Sequence, residues 1–356
     1  MSLRQSRGVR CTLGALQDLD TIWGMHCGGA MMHQEPSCED IRTAKQRIAP
    51  IVLRTPLIES PALTARTGAS VFLKLEGLQP TGSFKIRGAA NRMLALTAEE
   101  RARGVVAVST GNHGRAVAYV AKRLGLRAVV CLSQAVPRNK VGALEELGAE
   151  TIVRGRSYDE AMAHACSLEV QRGSTMIHPF DDPLVIAGQG TIGLELLEDL
   201  PTIKTAVVPL SGGGLIAGIA SALKSAKPSV RVVGVSMDRA PVMVRSLNAG
   251  RVIEMEEEET LADALAGGIG PINRHTFRLC QRLVDETVLV SEGEIAEAMA
   301  FCYEDLGLVV EGGGAVGVAA LLADKVGRLG RRLAVVLSGS NVAPPLLLDV
   351  TKRHRR

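Results

Sequence analysis

The sequence has few aromatic residues, little net charge and no long apolar run. Aromatic residues make up 3% of its 356 positions and the formal net charge is +4. No basic stripe with interleaved aromatics is present, which argues against a nucleic-acid-binding protein. No apolar run reaches about 18 residues, so no membrane span is expected. The seven cysteines are odd in number and include no C-x-x-C pair, which argues against a disulfide framework or a structural zinc site and favours reduced thiols in a cytoplasm.

Glycine is abundant, with 38 residues against a usual share of ~7%. Much of the excess lies in short clusters at 212–214, 267–268 and 312–314. Clustered glycine lets the backbone approach a ligand or another backbone segment closely.

The first 38 residues differ from the rest because they follow neither a helical nor a strand period. They are expected to form a disordered extension, and they lack the clean apolar stretch of a signal peptide. His26, Cys27 and His33 could bind a metal ion, but nothing in the sequence fixes their geometry. No metal site is therefore expected.

From residue 39 onward, apolar strand-like runs alternate with helical patterns, which predicts α/β layers around mostly parallel sheets. The clearest predicted strands are "GVVAVST", "RAVVCLS", "TIVRG", "TAVVPL", "RVVGVS", "ETVLVS" and "RRLAVVLS". Ser157 with Glu160, and Ser291 with Glu294, have the spacing of capping boxes at helix starts. The acidic run 254–260 is expected to be a solvated loop, and residues 351–356 a frayed basic tail.

Ligands of open α/β sheets bind beyond the carboxyl ends of the strands, which directs attention to three loops. "SGGGL", at 211–215, opens a helix whose N–H groups favour an anion such as phosphate. It lacks the Lys-Ser/Thr of a P-loop. A tight turn that needs glycine for packing explains this loop equally well.

"GGGAVG", at 312–317, matches G-x-G-x-x-G and raises the alternative of a nicotinamide or flavin enzyme. The apolar run before it is short, and the next strand ends in Ser338 rather than in an acidic residue for a ribose hydroxyl. A dinucleotide site is therefore disfavoured.

"STGNHG", at 109–114, contributes Asn112 and His113. Because His113 falls on the apolar side of its helix, a packed histidine is a better interpretation than a catalytic base. Asn112 could donate to a ligand oxygen or cap the helix.

Lys85 lies at the junction between the loop "LQPTGS" and a helix. The helix is predicted to begin at Phe84, directly after the loop. An amine at a helix start is expected to have a lowered pKa, because it meets the positive end of the helix dipole. Such a lysine is a good nucleophile toward a carbonyl. Together with a phosphate cradle, it suggests pyridoxal 5′-phosphate.

Several ordered motifs make this sequence similar to a known family: "LKLEGLQPTGSFKIRGA", "STGNHG", "FDDPLVIAGQGTIGLE", "VVPLSGGGLIAG", "VEGGGAVGVAAL" and "VVLSGSN". From about Asp40 to Val350 the chain resembles the fold-type II pyridoxal-phosphate enzymes of the threonine/serine dehydratase family. The resemblance implies a tryptophan synthase β-like fold with two open, twisted, mostly parallel sheets flanked by helices. It also implies a large cofactor-binding domain at 39–87 and 183–350, a small domain at 88–182, and a homodimer.

The resemblance also assigns roles to residues of the three loops and to Lys85. Lys85 would carry the cofactor covalently, as an imine, and once freed would remove the substrate α-proton as a catalytic base. The residues expected to hold the cofactor are Phe84, Lys85, Asn112, Gly212, Gly213, Gly214, Leu215 and Ser338. The loop expected to receive the substrate carboxylate is formed by Ser109, Thr110, Gly111 and His113, with Thr110 also expected to be catalytic.

Departures from the family pattern point to one branch of it. Ser236 stands where a glutamate that helps to bind a divalent cation is expected, Arg115 where glutamine is common, and "LADALAGGIG" replaces a shorter motif. These three features are similar to the dehydratase of hydroxyectoine catabolism. Hydroxyectoine itself has no free primary amine, so a ring-opened 2-amino-3-hydroxy acid derivative would be the substrate.

The alternative is a catabolic L-threonine/L-serine dehydratase, or an enzyme with serine racemase-like activity. The chain ends about a dozen residues after "LSGSN", which leads us to expect no C-terminal regulatory domain. Both interpretations place a small hydroxy amino acid in the site.

Overall fold

The computed structural model describes residues 35–354 except residues 110, 135, 137, 157, 271 and 272. Its helices are α1 Cys38–Ile48, α2 Pro61–Thr67, α3 Lys85–Leu94, α4 Ala98–Arg103, α5 Asn112–Leu124, α6 Arg138–Glu146, α7 Tyr158–Arg172, α8 Pro183–Asp199, α9 Gly214–Ala226, α10 Val242–Ala249, α11 Thr276–Leu283, α12 Glu292–Glu304, α13 Gly312–Leu322 and α14 Pro344–His354. Its strands are β1 Leu57–Glu59, β2 Ser70–Leu75, β3 Val105–Val108, β4 Ala128–Leu132, β5 Glu150–Val153, β6 Thr175–Met176, β7 Thr205–Pro209, β8 Arg231–Met237, β9 Glu286–Val290 and β10 Arg332–Leu337. Single 3₁₀ turns lie at Glu76–Leu78 and Asp263–Leu265.

The strands form two sheets, and the predicted α/β fold with mostly parallel sheets is confirmed. The six-stranded sheet has the order β1-β2-β10-β7-β8-β9, and the four-stranded sheet has the order β5-β4-β3-β6. Among the strand pairs that the structure describes, only β1–β2 is antiparallel. The central strands are buried along their length, as expected for parallel strands covered by helices on both faces.

The four-stranded sheet takes all its strands from residues 105–176, and the six-stranded sheet takes its strands from residues 57–75 and 205–337. The lobe boundaries at residues 88 and 182 stay a prediction. Among the described residues, no helix combines the length and apolarity that a membrane crossing requires.

Helix ends agree well with the sequence signals. The Ser291 hydroxyl accepts from the Glu294 N–H and the Glu294 carboxylate accepts from the Ser291 N–H, which confirms this capping box. Gly125 ends α5 in the left-handed conformation, where glycine carries no penalty. The capping box predicted from Ser157 lies outside the described residues.

The two ends of the chain differ from expectation. Ser37 caps α1, which already begins at Cys38, and the metal ligands considered at 26, 27 and 33 lie outside the described residues. The expected frayed tail at 351–356 is wrong for residues 351–354, because α14 continues to His354. Thr351 is buried there, so packing against the core extends the helix.

A buried ionic network joins four elements beneath the start of α3. It consists of Lys74 on β2, Glu76 in the first 3₁₀ turn, Arg87 on α3 and Glu195 on α8, all almost fully buried. Two cations balance two anions, so the network is neutral. Because Arg87 is in the first turn of α3, the network fixes the helix that carries Lys85.

Candidate active site

Lys85 is the first residue of α3, one position later than the predicted helix start. Its Nζ donates to the Pro179 carbonyl oxygen at 2.9 Å and lies 5.2 Å from the centre of the Phe84 ring. Burial lowers the pKa of this amine to about 8, with Glu311 acting in the opposite direction. The predicted lowering is therefore present, but its main cause is desolvation rather than the helix dipole.

The loop after β10 holds the Lys85 turn in place. The Phe84 N–H donates to the Ser338 carbonyl oxygen at 3.0 Å, and the Ser340 N–H donates to the Gly82 carbonyl oxygen at 2.8 Å. Asn341 Nδ2 also donates to the Thr81 carbonyl oxygen at 2.9 Å. Two segments that are far apart in the sequence thus form one unit, and Ser338 is brought next to Phe84 and Lys85.

Asn112 begins α5 and is held by two side chains. Its Nδ2 donates to Glu311 at 2.7 Å, and its Oδ1 accepts from Asn341 Nδ2 at 2.6 Å. Its amide is thereby fixed, with the oxygen and nitrogen ends assigned. Glu311 was missed from the sequence, although an acidic residue directly before a buried, glycine-rich helix start is a signal that could have indicated it.

His113 is a packed histidine, as its place on the apolar side of the helix predicts. It is buried, and its Nε2 lies 2.7 Å from the Ile177 carbonyl oxygen. Burial, together with the charge of Lys85, lowers its pKa to about 3. A carbonyl only accepts, so the neutral ring carries its proton on Nε2 and Nδ1 has none. The imidazole cannot donate to a carboxylate in this state.

The glycine loop at 212–214 lies between β7 and α9, and Gly213 adopts φ +89°. A Cβ on Gly212 would overlap the Phe180 ring, and one on Gly214 would come within 2.9 Å of the Phe180 backbone. Packing therefore requires glycine here. The first N–H groups of α9 also lack intrahelical acceptors, as in every helix, so the same loop offers donors to an anion.

The glycines at 312–317 are used for packing. A Cβ on Gly314 would lie 2.7 Å from the Gly339 carbonyl oxygen, and one on Gly317 would lie 2.7 Å from Val335. Residues 308–311 form no strand. The strand–loop–helix arrangement of a dinucleotide site is absent from this described segment, which argues against the oxidoreductase alternative.

A cavity of about 550 Å³ collects several of these groups, a size within the range of small-molecule sites. Predicted site residues that line it are Lys85, Ser109, Gly111, Asn112 and His113. Ser211 and Phe180 also line it, and Phe180 packs against Gly212 and Gly214. The other predicted cofactor residues, Phe84, Gly212, Gly213, Gly214, Leu215 and Ser338, do not line it. Thr110 lies outside the described residues.

Comparisons with known proteins identify the family of this fold and site. The family model of pyridoxal-phosphate dependent enzymes matches residues 48–339. The chain belongs to this family. A relative named putative threonine dehydratase, from Sinorhizobium fredii, is 50% identical over 306 residues, which cover 86% of this chain and 92% of the relative. An L-threonine ammonia-lyase from Thermotoga maritima is 46% identical over 304 residues, or 85% of this chain and 75% of that protein.

Solved structures agree. The structure of maize serine racemase has a TM-score of 0.84 at 36% identity and covers 90% of this chain and 98% of the racemase. The processed form of threonine deaminase isoform 2 from Solanum lycopersicum has a TM-score of 0.80 at 32% identity, with 91% of this chain and 92% of the deaminase covered. The predicted fold-type II enzyme, its pyridoxal 5′-phosphate cofactor and its place in the threonine dehydratase family are confirmed.

The donor set fits this cofactor. Lys85 supplies a largely buried amine of lowered pKa on the wall of the cavity. The glycine loop supplies N–H groups at a helix start that no side chain caps. Among the described residues, no group of three or more His, Cys, Asp or Glu side chains is arranged as a metal site.

The pKa of Lys85 predicts how fast the cofactor-free protein takes up pyridoxal phosphate. Only the neutral amine attacks the aldehyde, so the uptake rate should rise about tenfold per pH unit below pH 8 and level off above it. If the pKa of the lysine were unperturbed, the uptake rate would keep rising up to about pH 10.4. The absorbance of the bound cofactor after rapid mixing measures this rate, and a profile without a bend near pH 8 would contradict the lowered pKa.

Gly212→Ala should weaken cofactor binding by at least about tenfold, because the new methyl group displaces the Phe180 ring and shifts the loop. Titration of the cofactor-free protein with pyridoxal phosphate gives the dissociation constant. Gly142→Ala is the matched control, since a Cβ there meets no atom within 4 Å. Equal affinities of the two variants would show that the loop does not hold the cofactor.

Proposed function

We propose that this enzyme eliminates water from a 2-amino-3-hydroxy acid, with L-threonine and L-serine as its substrates. The unsaturated product would then hydrolyse to a 2-keto acid and ammonia, so that one substrate molecule yields one of each. The observation that carries the proposal is the lowered pKa of the Lys85 amine on the wall of a cavity that also contains Asn112. The names of the relatives from Sinorhizobium and Thermotoga support it.

In this proposal Lys85 acts as the general base. Its Nζ would accept the proton from the substrate Cα, and an amine with a pKa of about 8 is partly neutral near pH 7 and can do so. The bound cofactor would supply the electron sink that makes this proton acidic. The Pro179 carbonyl oxygen, which accepts from Nζ at 2.9 Å, orients the amine.

Other side chains would position the reactants. The loop that contains Ser109, Thr110 and Gly111 would receive the α-carboxylate. In this structure, the Ser109 N–H donates to the Cys131 carbonyl oxygen and the Gly111 N–H donates to the Ser109 hydroxyl oxygen. Asn112, held by Glu311 and Asn341, would contact the 3′-oxygen of the cofactor ring. The residues Gly212, Gly213, Gly214 and Leu215 would bind the phosphate.

Ser338 would face the pyridine nitrogen. A hydroxyl is neutral, so it stabilises a protonated ring less than a carboxylate would. With such a residue, the cofactor would be a weaker electron sink, which would favour loss of the β-hydroxyl. Phe84, whose N–H is bonded to the Ser338 carbonyl oxygen, would pack against the cofactor.

A ring-opened derivative of hydroxyectoine is the second candidate substrate, and one observation favours it. The segment 261–270, which departs from the usual family pattern, contributes Asp263, Ala264, Ala266, Gly267 and Gly268 to the cavity wall. Arg115, the second departure, also lines the cavity. Two of the three departures therefore fall where they would contact a substrate, whereas Ser236 is buried in β8.

A panel of amino acids tests the proposal. L-threonine, L-serine and 3-hydroxy-2,4-diaminobutyrate, free and acetylated, would be compared by kcat/KM with keto acid and ammonia assayed. We expect threonine and serine to be turned over, with D-serine formation measured beside elimination. If only the diaminobutyrate compounds react, the second candidate replaces the first, and if no hydroxy acid reacts both are wrong. The homodimer and the cytoplasmic location stay predictions.

A further inference from the structure

Arg115 is a basic residue of the cavity for which the reaction outlined above has no use. It follows Asn112 by three residues on α5, so the two side chains share one face of the helix. Both line the cavity. Arg115 is a cation at a position where glutamine, a neutral amide, is common in the sequences that this chain resembles.

The guanidinium of Arg115 has an unmet donor. Its Nε is buried and has no hydrogen-bond partner within the described part of the chain. A buried donor without an acceptor costs about 1–3 kcal/mol. No acceptor of the described chain holds this nitrogen, while the Arg115 side chain lines the cavity. The planar fork of arginine suits a carboxylate or carbonyl oxygen of a ligand best.

Acidic side chains of the cavity do not satisfy this donor. Glu257 and Asp263 line the same space, and each interacts with other groups. Glu311 accepts from Asn112 at 2.7 Å. None of the three is a hydrogen-bond partner of Arg115 Nε.

The proposed places of the other parts of a bound amino acid indicate which part would face Arg115. The proposed cradle at 212–215 takes the cofactor phosphate, and the loop at 109–111 takes the α-carboxylate. What remains is the far end of the substrate side chain.

We propose that Arg115 determines substrate specificity by binding a carboxylate or carbonyl oxygen that the substrate carries beyond its β-carbon. This rests on the proposed function, because it requires an amino acid in the cavity. Threonine and serine lack such an oxygen, so they would leave the Arg115 guanidinium without a substrate partner. The preferred substrate is a longer 2-amino-3-hydroxy acid with a polar end.

Binding of unreactive amino acids to the holoenzyme tests this without relying on elimination. The probes are L-aspartate, L-glutamate, L-asparagine and L-glutamine, compared with L-2-aminobutyrate and L-norvaline, which match them in length but lack the oxygen. Dissociation constants come from calorimetry or from the change in cofactor absorbance. At least one oxygen-bearing probe should bind the wild type about tenfold more tightly than its apolar match.

Variants assign that preference to Arg115. Arg115→Met, which keeps an unbranched stem and a similar helix propensity but lacks the guanidinium, should remove the tenfold preference and leave the affinity for L-norvaline within about twofold. Arg115→Lys should restore part of it. Arg123→Met is the control, because Arg123 is exposed on the same helix. This variant should bind every probe with the affinity of the wild type.

The outcomes separate this inference from the proposed function. Equal weakening of all probes by Arg115→Met would mean that Arg115 binds the α-carboxylate or only supports the fold, and the inference would be wrong. No preference in the wild type would overturn it as well. A preference lost in Arg115→Met while no hydroxy acid is turned over would uphold the inference and reject the elimination reaction.

Discussion

Replacing Lys85 with alanine is expected to abolish both the yellow colour of the purified protein and its elimination activity. The covalent attachment of the cofactor is lost, and so is the base that would take the α-proton. A general base alone contributes about 10²–10⁴-fold, and the loss of the nucleophile adds to this. We therefore expect kcat/KM for L-threonine to fall by at least about 10⁴-fold.

The matched control is Lys122→Ala, since Lys122 is exposed on α5. Its spectrum and kcat/KM should equal those of the wild type. Circular dichroism of Lys85→Ala should be unchanged, because the side chain of Lys85 contributes little to the fold beyond its hydrogen bond to the Pro179 carbonyl oxygen. A folded Lys85→Ala protein that keeps its colour and more than about a tenth of its activity would contradict the role given to this lysine.

Arg87→Met should lower the free energy of unfolding more than the other substitutions considered. Arg87 donates to Glu76 through Nε at 2.8 Å and to Glu195 through Nη1 at 2.7 Å. Burial opposes the charged form, yet these two carboxylates raise the pKa of Arg87 above its usual value. Removing the guanidinium leaves two buried carboxylates with Lys74 as the one remaining cation of the network.

Breaking a buried pair by removing one partner costs about 3–5 kcal/mol, because the other charge stays buried without compensation. The midpoint of thermal unfolding should fall by about 5–10 °C. Arg42→Met is the control, since Arg42 pairs with Glu39 on the surface and such pairs contribute little.

A double variant distinguishes charge from packing. Arg87→Met with Glu76→Gln again leaves a balanced pair, Lys74 with Glu195, while Thr55 can still donate to the amide oxygen at position 76. It should recover part of the lost stability. If the double variant is no more stable than Arg87→Met alone, lost packing rather than an unbalanced charge causes the effect.

Much of the site could be predicted from the sequence because its residues lie next to breaks in regular structure. Lys85 follows Pro80 and Gly82, and Asn112 follows a buried strand that ends at Val108. Such positions are read from local signals alone. The packed state of His113 could also be predicted, since a helical period shows which face is apolar.

The rest depends on contacts between distant segments, which no local pattern encodes. Glu311 reaches Asn112 across 199 positions, and the Pro179 carbonyl oxygen reaches Lys85 across 94. The cause of the lowered pKa of Lys85 could not be predicted for the same reason, because burial depends on how the whole chain packs. The glycines at 312–317 matched a nucleotide motif by sequence alone, and only the loops and strands packed against them explain why glycine is needed.

The most direct test of this account is chemical trapping of the cofactor on the freshly purified enzyme. Reduction with borohydride fixes a lysine–pyridoxal phosphate linkage permanently, and peptide mapping by mass spectrometry then locates it. We expect the phosphopyridoxyl group on Lys85 and on no other lysine. Label on a different residue, or none on the peptide that contains Lys85, would contradict the central claim.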